Sequence, residues 1–307
     1  MKIAILHHDI EMPELKFSEY LIERDCVVDL YDIRETSYEQ LLDYNIVFNR
    51  VYSSVASRDF EMLYKTLSIL NLLEKRGVKC INSFSASFTD YDKYRLYQML
   101  SKKGIRTPQS IFIKSSKEIN RLGKKAIKEL GFPLVIKRNC GGKSYDVTRV
   151  NSFEEIKFVL NEMFKRAEEQ GYKAGFLFQK FVKSIRDHDC RIGIVNGKFS
   201  FAYARSLITR NSTDNWMAST SGGSKEFFYN PTSEEVELAI KANKAIGALF
   251  SESDVMMTEE GPYIIEVNST PGYFIEDEND IERMKIAVDS IIRENAIENL
   301  IEVEIKG

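Results

Sequence analysis

Over its first 88 residues the chain alternates short apolar runs with amphipathic stretches. Residues 2–6 (KIAIL) read as a buried parallel strand, and the stretch from Pro13 to Glu23 has the apolar spacing of a helix. The pattern recurs with VVDLYD at 27–32, NIVF at 45–48, a helical segment from Arg58 to Arg76, Gly77 as helix stop, and VKCIN as a further strand. This alternation predicts a small open α/β domain over residues 1–88.

From Thr89 to Lys103 the pattern is helical and charged, closed by Gly104 and reset to extended backbone by Thr107-Pro108. A second domain is expected over 89–174: a helix at 116–130, the strand PLVIK (133–137), a glycine-containing loop from Asn139 to Asp146, the strand VTRV, and a helix from Ser152 to Gln170. A third is expected over 175–307, opening with GFLFQKFV (175–182) and then RIGIV and KFSFAYA around Asn196-Gly197, a dipeptide suited to the positive φ angles of a type I′ hairpin. A polar loop (210–230) leads to a helix announced by the capping box Thr232-Ser-Glu-Glu235. The last clear elements are DVMMT and PYIIEVN, and the acidic run at 276–282 reads as a solvated loop or a helix start.

The final hairpin carries the first candidate chemistry. If Glu259-Glu260-Gly261 forms a three-residue turn, Thr258 pairs with Pro262 and Asp254 lies opposite Glu266, with Asn268 two residues on along the same face. Two acids inside apolar strands need a partner, and a hard cation such as magnesium holds facing carboxylates while leaving positions for phosphates. An ordinary hairpin with exposed acids is the plainer alternative.

Composition narrows the classes. The 43 basic and 46 acidic side chains leave a net charge of −3, with no global field to draw the chain onto nucleic acid or anionic lipid. Four scattered cysteines and three histidines do not form a zinc pattern. No apolar run has the length of a signal peptide or a membrane span, so a cytoplasmic protein with reduced thiols is expected, without nucleic-acid or membrane partners.

Lys137 ends an apolar strand ahead of Gly141-Gly142, where a lysine suits a phosphate. Gly141, Gly142 and Ser144 lie in a loop able to present backbone N–H groups to phosphates, although the spacing is not that of a Walker A motif. Asp189 and Arg191 share one strand face, with Arg205 on the partner strand. Strict pairing across Asn196-Gly197 sets Arg205 opposite His188, on the other face from Arg191; the two arginines reach one site only if a bulge intervenes or the strand ends early. Asn49 and Arg50 end a strand of the opening domain, where α/β sheets often bind ligands, and they are candidate substrate contacts beside the plainer reading of surface residues.

In order, these pieces resemble the ATP-grasp superfamily and, within it, the RimK-like carboxylate–amine ligases. The resemblance rests on Asp92-Lys93, Gly104-Ile105 and Pro108; Gly131 to Lys137; Gln179-Lys-Phe-Val182; Asp189-Cys-Arg191; and Asp254 with Glu266-Val-Asn268-Ser-Thr-Pro-Gly272. It implies a pre-ATP-grasp α/β domain followed by two α+β subdomains that clasp ATP. It also implies that Lys93 and Lys137 meet the ATP phosphates, that Gln179, Lys180 and Val182 meet the adenine, with Asp189 among the nucleotide contacts, and that Asp254, Glu266 and Asn268 hold Mg2+ or Mn2+. Arg191 and Arg205 match positions at the reacting phosphate or the substrate carboxylate. The implied reaction phosphorylates a carboxylate and lets an amine, expected to be an amino acid, attack the acyl-phosphate, releasing ADP and phosphate. The acceptor is left open among protein, peptide and metabolite, and so is a homo-oligomer.

Two segments depart from the family pattern. Gly141-Gly-Lys-Ser-Tyr-Asp-Val147 stands where Gly-Ser-x-Gly-x-Gly-Val is common. The segment Asn215-Trp-Met-Ala-Ser-Thr-Ser221-Gly222-Gly223 lacks the usual Arg and Asn; Asn215, Ser221 and Gly222 remain substrate candidates. Two rival functions follow: a nucleotide-binding scaffold that no longer ligates, and a small-molecule kinase.

Overall fold

The opening alternation builds a parallel sheet. In the computed structural model, which describes residues 1–210 and 212–306 (side chains through Arg293, apart from Asn211), β1 (Lys2–His7), α1 (Met12–Ile22), β2 (Val27–Asp32), β3 (Ile46–Asn49), α2 (Phe60–Lys75) and β4 (Lys79–Ile81) form a four-stranded sheet in the order β2-β1-β3-β4. The single helix expected from Thr89 to Lys103 is two, α3 (Phe84–Tyr91) and α4 (Lys93–Lys102). They break at Asp92, whose backbone is extended and whose carboxylate caps the second helix by accepting from Arg95 N at 2.8 Å.

The central sheet is antiparallel. It comprises β5 (Ser110–Ile113), β6 (Leu134–Arg138), β7 (Thr148–Val150) and β8 (Phe176–Lys180) in the order β5-β8-β6-β7, backed by α5 (Ile119–Leu130) and α6 (Phe153–Glu169). The expected boundary after residue 174 therefore needs correction: β8 pairs with β5 and β6 and so belongs to this sheet.

A second antiparallel sheet follows: β9 (His188–Val195), β10 (Lys198–Ser206), a small ribbon of β11 (Ile208–Thr209) and β12 (Asn215–Met217), then β13 (Glu226–Phe228), α7 (Ser233–Ile246), β14 (Phe250–Thr258) and β15 (Gly261–Asn268). The five-stranded order is β13-β10-β9-β14-β15. Alternation divides its faces. Cys190, Ile192 and Ile194 pack with Val255, Ile264 and Val267 against Leu96 and Leu100 of α4 and Leu238, Ala242 and Ile246 of α7. Asp189, Arg191 and Asp254, out of phase with these, face the opposite side.

The acidic run at 276–282 contains the start of α8 (Glu278–Lys306). Met284, Ala287, Val288 and Ile291 return along this helix to pack with Ile3, Ile5 and Phe48 of the first sheet and Phe17 of α1, so the end of the described chain completes the core of its beginning. No helix among the described residues is long and apolar enough to cross a membrane.

One buried amide ties the first sheet to the last. Asn82 follows β4; its Nδ2 donates to the carbonyls of Phe250 (3.0 Å) and Ser269, and its Oδ1 accepts from Leu249 N at 2.9 Å. Asn82→Ala leaves two carbonyls and one N–H buried without partners, a cost of about 2–4 kcal/mol. We expect its urea midpoint to fall accordingly with the slope unchanged, and Asn82→Asp, which cannot donate to the carbonyls, to do no better.

Candidate active site

The polar face of the five-stranded sheet is one wall of a cavity of about 760 Å3, whose lining also draws on the central sheet and the first domain. Two bulges decide what points into it. Ser200 is an extra residue on β10, between Phe199 (opposite Ile194) and Phe201 (opposite Gly193), so Tyr203 faces Arg191 and Arg205 faces Asp189. This is the intervening bulge that the sequence required for both arginines to meet. The second bulge was not foreseen. The turn is tighter than expected, with Thr258 opposite Gly261, and Ile265 bulges out of β15, restoring Asp254 to its place opposite Glu266.

The resulting charge cluster is dense. Arg191 approaches Asp254 with Nε on Oδ1 at 2.7 Å and Nη2 on Oδ2 at 3.1 Å, and Arg205 Nη2 lies 2.9 Å from the same Oδ2. Burial alone would raise the Asp254 carboxyl; the two guanidinium groups outweigh it and hold it well below the usual carboxylate range. Arg205 also donates to both oxygens of Asp189, yet burial keeps the Asp189 carboxyl above its ordinary value. Burial likewise opposes ionisation of Glu266, but Lys93, with Nζ 2.7 Å from Oε1, and Lys137 prevail and lower it.

Lys137 is different. It is buried at the end of β6, and desolvation, reinforced by Lys93, pulls its ammonium down to about 8 against the pull of Glu266 and Asp254. A buried amine near its titration point is poised to gain a proton when an anion arrives.

Asp254, Glu266 and Asn268 offer two carboxylates and an amide on one sheet face, a hard-oxygen set that fits magnesium. The Asn268 Nδ2 is buried with no partner, leaving the amide free of a competing hydrogen bond at that atom. Among the described residues no group of three or more His, Cys, Asp or Glu side chains is gathered to hold a metal.

The turn after Asn268 is held from α3 and from the first domain. Asp90 accepts from Ser269 N, Ser269 Oγ and Thr270 N at 2.8–3.1 Å, and burial pushes its carboxyl up to about 6 against those hydrogen bonds. Arg50, fully buried, donates to the carbonyl of Pro271 and to Glu14.

Of the sequence candidates, Lys93, Lys137, Gly141, Gly142, Ser144, Gln179, Lys180, Val182, Asp189, Arg191, Arg205, Ser221, Asp254, Glu266 and Asn268 line this one cavity. Four substrate candidates are corrected. Asn49 is buried and spends its amide on Ser87, Tyr91 and Val51 N, and Arg50 is consumed by the Pro271 and Glu14 contacts; the strand end they occupy is packed, not open. Asn215 and Gly222 stand outside the lining, Asn215 exposed on β12. The sequence reading missed Tyr52, Ser53, Ser54, Tyr203, Trp216 and Met217. Trp216 packs with Val135 and Met217 in an apolar cluster at the cavity; as the chain's only tryptophan, set in a polar loop, it was the one readable signal.

A cavity clasped between two antiparallel sheets, with lysines, arginines and hard-oxygen ligands on its walls, is the arrangement of the ATP-grasp fold. Among solved structures, the VanG D-Ala:D-Ser ligase from Enterococcus faecalis shares that fold with a TM-score of 0.71 at 16% identity, covering 96% of this chain and 99% of that one. The family model for the RimK-like ATP-grasp domain matches residues 90–293. A probable alpha-L-glutamate ligase of Psychromonas ingrahamii is 29% identical over 255 residues, covering 80% of this chain and 76% of that protein. Another, from Vibrio atlanticus, is 30% identical over 235 residues, with 76% and 71% covered. The chain belongs to the RimK-like ATP-grasp family, and its reaction is the ATP-dependent joining of a carboxylate to an amine.

If Lys137 neutralises a phosphate of the bound nucleotide, affinity is expected to fall as pH rises through about 8, approaching about tenfold per pH unit beyond it. Calorimetric ATP titration between neutral and alkaline pH checks this, and Lys137→Arg, which stays charged, should flatten the profile.

Proposed function

We propose that this ligase couples an amino acid, with L-glutamate the first to test, to a small-molecule or peptide partner through an acyl-phosphate. The glutamate reading is supported by the relatives described as probable alpha-L-glutamate ligases. The observation that carries the mechanism is the convergence of Arg191 and Arg205 on Asp254, opposite a Glu266 held by Lys93.

A carboxylate is a poor electrophile, and transfer of the γ-phosphate gives it a leaving group. In this reading Lys93 and Lys137 neutralise the phosphates, and the loop bearing Gly141, Gly142 and Ser144 presents backbone N–H groups to them. Gln179, Lys180 and Val182 take the adenine beside Trp216, with Asp189 keeping Arg205 in place. Arg191 and Arg205 stabilise charge on the reacting carboxylate and the transferred phosphoryl group, while Ser221 borders the substrate end. Asp254, Glu266 and Asn268 would hold magnesium, for which manganese is an alternative; the cation's contribution is to screen phosphate charge. Residues 1–88 serve as the pre-ATP-grasp domain, and the two later sheets clasp the nucleotide. A cytoplasmic setting fits free, buried cysteines at 26, 80, 140 and 190.

The test is ADP release across amino acids and small carboxylates, with mass spectrometry of the product. Ligation predicts ADP only when acid and amine are both present. ADP with the acid alone, accompanied by a stable phosphorylated product, would instead mark a kinase; ATP binding without ADP in any mixture would mark a scaffold. Glu266→Ala should remove turnover while leaving the circular-dichroism spectrum near wild type, and wild-type turnover in that variant would sink the metal assignment.

A further inference from the structure

The loop between β6 and β7 holds three non-glycine residues in the left-handed region: Lys143 (φ 55°), Ser144 (φ 54°) and Asp146 (φ 53°). Side chains at such φ angles are strained, and a loop of this kind needs outside support to keep one shape. Ser144 and Asp146 stand where the common family pattern has glycine, the residue that adopts such angles freely.

The support is visible at Asp146. Its carboxylate is buried beneath the loop between two arginines: Oδ2 accepts from Arg138 Nε at 2.7 Å, and Oδ1 accepts from Arg166 Nη2 at 2.7 Å. Arg138, on β6, lines the cavity and also donates to Gln170 Oε1 at 2.6 Å; its guanidinium lies 4.6 Å from the Tyr145 ring centre and 4.3 Å from that of Tyr172. Gln170 returns a hydrogen bond to the Tyr145 hydroxyl at 3.1 Å. On the other side the carbonyl of Lys143 accepts from Ser221 Oγ at 3.1 Å. The stretch from Gly141 to Tyr145 and Val147 borders the cavity, whereas Asp146 points away from it.

We propose that Asp146 is a positioning residue for nucleotide binding: by bridging Arg138 and Arg166 it locks residues 141–147 in the shape that lines the cavity, replacing intrinsic glycine geometry with an ionic clamp. The inference rests on the reading of the cavity as the ATP site. An ionised carboxylate between two guanidinium groups is a strong, directional tether, and the hydrogen bonds of Tyr145 extend it along the loop. A loop set in advance loses less freedom when nucleotide binds, so the clamp acts on affinity more than on the chemical step.

The test compares Asp146→Asn, Arg166→Ala and Asp146→Gly with wild type, using ATP titrations followed by Trp216 fluorescence, steady-state kinetics, and amide hydrogen exchange over 141–147. Asparagine tolerates the left-handed conformation, so Asp146→Asn isolates the charge. Its KM for ATP should rise about tenfold with kcat within about twofold, as for loss of a charge-assisted tether, and exchange in the loop should quicken. Arg166, partly exposed and outside the cavity lining, can be removed without threatening the fold; Arg166→Ala should weaken ATP binding less, and adding it to Asp146→Asn should change little, because both variants break the same clamp. Asp146→Gly should weaken binding despite its relaxed backbone. Wild-type affinity and exchange in Asp146→Asn, or wild-type affinity in Asp146→Gly, would overturn the clamp. A wild-type protein that binds no ATP would overturn the cavity assignment instead.

Discussion

A single extra residue on each of two strands governs what the cavity contains. Side chains on a strand alternate with period two, so a shift of one residue exchanges the faces of everything beyond it. Without Ser200 bulged from β10, Arg205 would join the apolar face occupied by Cys190, Ile192 and Ile194; without Ile265 bulged from β15, Glu266 would lie opposite Ser253 and leave Asp254. The penalty for the wrong register is severe on both sides: a guanidinium driven into the core under α7, and a carboxylate cut off from Lys93. The electrostatics of the site thus follow from two local irregularities in an otherwise regular sheet.

The balance of charge depends on the same geometry. Asp254 remains ionised in a buried setting because two arginines share it, and Glu266 because two lysines flank it. Each acid, in turn, keeps buried cations in position without leaving their charge bare. In the proposed reading, phosphates and a metal would replace these internal partners, so substrates would enter a site whose charges are already desolvated and oriented.

The first domain, with α3 beside it, acts on this site through the turn that follows Asn268. Asp90, Asn82 and Arg50 take up the backbone groups of Ser269, Thr270 and Pro271, and α8 returns to the first sheet. Much of this was out of reach of the sequence. Motifs such as Glu266-Val-Asn268 and Asp189-Cys-Arg191 are local and could be read directly, and the arginine bulge could be stated as a geometric requirement. Asn49 and Arg50 were misjudged because the usual openness of strand ends gives no warning that a distant turn will be packed there. A helix start was one reading of the acidic run at 276–282, and Ile281, Met284, Val288 and Ile291 carry the three-and-four spacing of the buried stripe that continues it.

The glycine loop shows how a departure in sequence can be matched by ion pairs. By residue type, Ser144 and Asp146 depart from the glycine pattern; by dihedral angle, both lie in the left-handed region that glycine enters freely. The conformation is held here by the ion pairs of Asp146 with Arg138 and Arg166 rather than by a residue's own freedom. A glycine loop is cheap to bend and free to open, whereas a clamped loop resists both. The substitution therefore exchanges mobility for order at the place where the phosphates would lie.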